Sequence, residues 1–110
     1  MANTFTREIS RNIGTTLTSV GGYTVGGGVQ TTVIGLSVCN TTSSPVTIDV
    51  TVNDGSNDAY LLKGAGLGVG QALAVVGADE KVVLITGDSI KVRSSSASSV
   101  DAVMSILEIS

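Results

Sequence analysis

The chain reads as an all-β protein: a single antiparallel β-sandwich of eight or nine short strands, with the jelly roll as one form of it. Three observations carry that reading. Val46–Asn53 alternates strictly between apolar and polar residues and closes on Asp54-Gly55. Side chains on a strand alternate between faces, so Val46, Ile48, Val50 and Val52 share one face and Thr47, Asp49, Thr51 and Asn53 the other. Turn signals rich in Gly, Asn and Asp recur at short intervals, and no helical period runs between them. The 110 residues contain no long linker, so they suit one core.

The elements follow in order. Residues 4–13 are polar and weakly alternating, with Phe5 and Ile9 as the main apolar groups. Residues 1–14 are therefore expected to form a strand or an arm reaching a neighbour, ahead of a sandwich domain over 15–110. Residues 15–20 are β-branched and end at Gly21-Gly22, a turn signal. Tyr23-Thr24-Val25 leads into Gly26-Gly27-Gly28, a loop or tight connection. Gln30–Asn40 is the longest strand candidate. Simple alternation puts Ile34, Leu36 and Val38 on one of its faces, and Val33, Gly35, Ser37 and Cys39 on the other.

A loop ending at Pro45 precedes the alternating strand. Asp54-Gly55 then turns the chain into a strand over residues 59–62, and Gly64, Gly66, Gly68 and Gly70 form a glycine-rich connection. Residues 71–76 make a short strand, residues 77–80 turn, and residues 81–85 are expected to pair back on it. Thr86-Gly87-Asp88 turns into residues 89–93, and residues 94–99 make a serine-rich polar loop. Val100–Ile109 closes the chain. It is apolar on both faces, as expected of a central strand or of one with a face at an interface.

Composition narrows the function. Charged residues are only 14% of the chain, below the roughly 25–35% that keeps a small monomer's surface dispersed, and Ser and Thr fill the gap. Sister subunits covering part of the surface would explain this. A net charge of −3 with no basic cluster argues against nucleic acid as partner. No apolar run approaches the length of a membrane span, and residues 1–8 lack the pattern of a secretory signal, so synthesis and initial residence in a cytosol are expected. Cys39 is the single cysteine, which leaves no internal disulfide. It is expected to behave as a small buried hydrophobe, with an intersubunit bridge as the alternative.

Catalytic chemistry finds few groups. The chain has no histidine, which removes triad catalysis, imidazole acid–base work and His-ligated zinc. Asn53, Asp54 and Asp58 around Gly55 place oxygen groups that a calcium ion could use, but the spacing is that of a hairpin turn. The glycines after Lys63 lack the spacing and the following helix of a phosphate loop. The serine loop has no adjacent base. Asp49 with Asp101 or Glu108 would make a glycosidase pair only if the fold brought them within about 5–9 Å. No catalytic, cofactor or metal residue is therefore assigned, and no enzyme activity or cofactor is expected.

Two stretches have a recognisable style. One is residues 33–53, VIGLSVCNTTSSPVTIDVTVN; the other is residues 84–109, LITGDSIKVRSSSASSVDAVMSILEI. Together they resemble small β-structured accessory proteins of tailed-bacteriophage virions. That resemblance implies a non-enzymatic sandwich, assembled in the host cytoplasm into the virion, that multimerises as a trimer or ring. Its partners would be its own copies and other virion proteins (connector, tail or major capsid protein), with no nucleic acid or membrane. Stabilisation of the head–tail neck or tail is the leading expectation, and a decoration protein on the capsid is the alternative. A carbohydrate- or receptor-binding sandwich is a third, with Tyr23 and Tyr60 as the aromatics available to stack on a sugar.

Overall fold

A computed structural model describes residues 3–77 and 81–110 of the chain. Among the described residues, nine strands form two packed antiparallel sheets: β1 (Asn3–Ile13), β2 (Thr18–Ser19), β3 (Gln30–Asn40), β4 (Val46–Asn53), β5 (Asp58–Leu67), β6 (Ala72–Val76), β7 (Val82–Leu84), β8 (Ser89–Ser94) and β9 (Val100–Ile109). One sheet runs β1-β9-β3-β6, with β7 also pairing β3; the other runs β2-β8-β4-β5. The pairs nest: β1 with β9, β2 with β8, β3 with β6 and β7, β4 with β5. That is one long antiparallel hairpin rolled up, with β3·β9 and β4·β8 zipping the roll closed. It is the winding of a jelly roll, in which β6 and β7 together fill one strand position.

The core lies between the sheets and is almost wholly aliphatic. Val33, Leu36 and Val38 of β3, Ile48 and Val50 of β4, Ile90 and Val92 of β8, and Ala102, Met104 and Ile106 of β9 are all buried. Each buried Val, Leu or Ile contributes roughly 1.5–3 kcal/mol, so stability comes from many medium-sized groups and from no buried aromatic. The alternation in β4 holds for Val46, Ile48 and Val50, while Val52 is only partly covered near the hairpin end. Thr51 is fully buried although it belongs to the polar set, and its hydroxyl donates to Asp58 Oδ1 at 3.0 Å.

Simple alternation fails in β3. The register jumps between Val33 and Gly35 opposite β9, so Ile34 is an extra, bulged residue. The bulge returns Val33 to the same side as Leu36 and Val38, and Ile34 turns outward. The 15–20 strand shrinks to Thr18–Ser19, followed by a short 3-10 turn at Val20–Gly22. There Gly21 sits at φ +64, and an added Cβ would lie 2.5 Å from Glu8 Oε1, so the chain crosses β1 where only glycine fits.

Two further expectations are corrected. The glycine-rich stretch is not a connection throughout: β5 continues to Leu67, and the turn is confined to residues 68–71, where Gln71 N–H donates to the Gly68 carbonyl. Residues 82–84 do not pair back on β6; β6 and β7 lie along successive lengths of β3. Part of the expected turn between them, residues 78–80, lies outside the described residues.

Candidate assembly surface

The polar clusters of the chain are tied up in structural hydrogen bonds. At the β4–β5 turn, Asp54 Oδ1 accepts from the N–H groups of Ser56 (3.0 Å) and Asn57 (2.8 Å), and these bonds hold its carboxyl below the ordinary value. Asp58 Oδ1 accepts from Asn53 Nδ2 and the Thr51 hydroxyl, which lower it likewise. Gly55 at φ +99 closes the hairpin. Among the described residues no group of three His, Cys, Asp or Glu side chains gathers as metal ligands.

The serine loop is not simply solvated. Ser94 and Ser99 are buried, and the Ser99 hydroxyl donates to Ser94 Oγ. Thr41 N–H donates to the Ser99 carbonyl, Ser99 N–H to Ile13, and Ser95 N–H to Thr47, so the loop ties β1, β3 and β4 together.

The three acids stay apart. Asp49, on the outward face of β4, accepts from Arg93 Nε at 2.7 Å and from Gly64 N–H at 2.7 Å. Burial pushes its carboxyl upward, but those bonds and the charges of Arg93 and Lys63 outweigh it and leave it lowered. Asp101 accepts from Asn12 N–H at 2.9 Å in the other sheet. Glu108 takes the Tyr23 hydroxyl at 2.8 Å, and that hydroxyl also lies 2.7 Å from Thr31 Oγ1. Asp101 and Glu108 are seven residues apart on β9, about 24 Å at strand rise, and on opposite faces. Tyr23 is therefore a bracing group, partly buried, and of the two tyrosines it is Tyr60 that presents an exposed ring, between Lys63 and Arg93.

What sets this molecule apart is the contrast between its two outward faces. On the four-stranded sheet, Asp49, Asp58, Lys63, Lys91 and Arg93 cluster around Tyr60, with the Arg93–Asp49 ion pair at their centre. The five-stranded sheet is different. Its register aligns Phe5, Leu107, Thr32 and Val83 in one row across four strands, and Ile9, Val103, Ser37 and Ala74 in another. Ile34 joins them through the bulge, and Arg7 and Asp101 are the charges in the registered rows. Phe5 is 75% exposed, Val83 66% and Val103 44%. A shallow groove runs between Phe5, Arg7, Ile34 and Ser105. Small residues (Gly35, Ser37, Ala72, Ala74) keep the far half of the face flat enough for another layer to approach. Cys39 lies on this face beside Asp101 and Ala72 and is half-buried, so it is more open than the small buried hydrophobe expected.

Sequence reading found the doubly apolar character of β9 but not the rows. Those depend on which strands flank β9, and the β1·β9 and β3·β9 pairs join residues far apart in sequence.

No protein-family model matches the chain, and no curated protein matches it. Among solved structures, a protein described in the words "Bacillus endospore appendages form a novel family of disulfide-linked pili" superposes with a TM-score of 0.52. The superposition covers 100% of this chain and 91% of that one at 12% sequence identity, a likeness of fold.

Proposed function

We propose that the chain is a non-enzymatic structural protein whose copies assemble with one another, using the outward face of the five-stranded sheet. The observation that carries this is the exposed apolar rows through Phe5, Val83 and Val103, set against a charged opposite face. Buried charges without partners are costly, so a contact between copies favours apolar face on apolar face. The face spans nine residues of β9, from Asp101 to Ile109, and three gaps between strands. That gives on the order of 500 Å² per copy and about 1,000 Å² for a pair, the lower limit of a specific interface. Association through this face alone is therefore weak and concentration-dependent, and gains strength when each copy has several neighbours.

The particle we propose is a tailed-bacteriophage virion, at the head–tail neck or tail, with capsid decoration as the alternative. The style of residues 33–53 and 84–109 supports it. A second reading, a subunit of a pilus-like fibre, is favoured by the shared fold. That neighbour is described as disulfide-linked; here Cys39 offers a single thiol per copy.

Native mass spectrometry across low to high micromolar concentration, with electron microscopy of the same samples, tests the proposal. A closed trimer, hexamer or larger ring supports the virion reading, and an open filament supports the fibre. A monomer at every concentration would overturn self-assembly.

A further inference from the structure

We propose that two copies of this chain join edge to edge along β1, antiparallel, about a two-fold axis at Thr6, so that their five-stranded sheets become one continuous sheet. This rests on the self-assembly reading and adds a second, independent contact to it.

The two sheets have four edges: β1 and β6/β7 in one, β2 and β5 in the other. An edge strand presents unpaired N–H and C=O groups, and proteins blunt such edges by shortening, bulging or interrupting them. Three edges here are blunted. β2 is two residues long. β5 carries two register shifts, with Gly64 at φ +66 and its N–H taken by Asp49. The β6/β7 edge is split into pieces of five and three residues. β1 is the exception: its pairing with β9 is unbroken from Asn3 to Ser10, it contains no proline, and its other side meets no strand among the described residues. From Asn3 to Arg7 it is exposed on both faces, because β2 is too short to cover it.

That identifies the occupant. A strand that adds to β1 must itself be a regular open edge, and in this molecule β1 is the edge that qualifies. A contact between identical patches is isologous and closes as a two-fold pair.

Charge then sets the register. Opposed residues of an antiparallel pair share a face, so the axis falls on a residue and not between two. Centring on Arg7 sets Arg7 against Arg7 of the second copy, and centring on Glu8 sets Glu8 against Glu8. Like charges directly opposed are destabilising. Centring on Phe5 shortens the described overlap to residues 3–7. Centring on Thr6 overlaps residues 3–9, sets Thr4 against Glu8 and Phe5 against Arg7, and opposes no like charges. Arg7 has no ion-pair partner in its own chain among the described residues, and Phe5 is the most exposed large apolar side chain, so each gains what it lacks through cation–π contact.

Single cysteines read the register. In the C39A background, F5C, T6C and R7C are each oxidised mildly at low micromolar concentration, and thermal melts check that each exposed-site variant is folded. Antiparallel partners have Cα atoms about 4.5–5.5 Å apart, within disulfide reach, so T6C should become mostly covalent dimer, about fivefold above F5C and R7C. Dominant cross-linking at F5C or R7C would overturn the proposed register. No cross-linking in any variant, while the C39A chain assembles by native mass spectrometry, would overturn the β1 contact and leave the structural function standing. No cross-linking with a monomeric C39A chain would overturn both.

Discussion

Replacing Ile106 with alanine and, separately, Val103 with serine separates folding from assembly on a single strand. Both residues lie on β9, three positions apart, and so on opposite faces of the sheet. Ile106 is 0% exposed, whereas Val103 is 44% exposed on the outward face. Removing three carbons at about 0.8 kcal/mol each costs about 2.4 kcal/mol, and the cavity left among close-packed aliphatics raises I106A to about 3–4 kcal/mol. For a domain of this size that lowers Tm by roughly 12–25 °C. V103S leaves no cavity and should stay within about 0.5 kcal/mol of the parent in the monomer, as surface changes do. The assay is urea unfolding at a concentration low enough to dissociate assemblies, since binding adds apparent stability by mass action. A parallel size measurement is made at high concentration. I106A should lose stability, and V103S should keep it while losing assembly. Equal loss of stability in dilute monomer would refute the assignment of inner and outer faces. Unchanged assembly in V103S would refute the use of this face.

Three further outcomes follow from named contacts. Tyr23→Phe removes the hydroxyl that meets Thr31 and Glu108, leaving the buried Thr31 short of a partner, and should cost about 1–2 kcal/mol in urea unfolding. Gly21→Ala should destabilise more than Gly22→Ala in thermal melts: both sit at positive φ, but at Gly21 the new methyl meets Glu8, while at Gly22 it meets open space. Asp49, Asp54 and Asp58 titrate below their ordinary values in the folded chain, so their contribution is present above about pH 4 and is lost as pH falls through the lowered folded values. Urea midpoints measured from pH 6 to pH 2.5 should fall along that limb. D49N should flatten it, and a limb unchanged in D49N would refute the stabilising role of the Arg93 pair.

The fold class was legible because it rests on local signals. The alternation in β4, the Asp54-Gly55 turn and the double apolar character of β9 each sit within a few residues. What could not be read depends on distant partners. Nothing near residues 82–84 says that they join β3 in preference to β6, and nothing local to Thr51 says that Asp58 will satisfy its hydroxyl. The candidate surface was half visible. The low charge of the chain pointed to covered surface, but the row of Phe5, Leu107, Thr32 and Val83 exists only once β1, β9, β3 and β7 lie side by side. Phe5 alone reads as a stray apolar residue in a polar segment.

The bulge in β3 yields a prediction opposite to that of the alternating pattern. If Ile34, Leu36 and Val38 shared a face, deleting Ile34 would put Val33 in its place beside Gly35 and shift the residues before it to the wrong side. The observed register pairs Val33 with Ile106 and Gly35 with Ser105, consecutive residues of β9, with Ile34 left over. Deleting Ile34 therefore restores plain pairing, keeps Val33, Leu36 and Val38 inside, and removes an apolar group from the outward face. Ser37, in contrast, is in step with Val103, and its deletion would set Leu36 against Val38 on successive positions, driving one of them out of the core. The Ile34 deletion should stay folded, within about 1–2 kcal/mol of the parent, and the Ser37 deletion should lose cooperative unfolding. Circular dichroism melts of the two proteins decide it. If both deletions unfold the chain, the bulge is required by the jelly roll; if only the Ile34 deletion does so, β3 does not pair with β9 in this register.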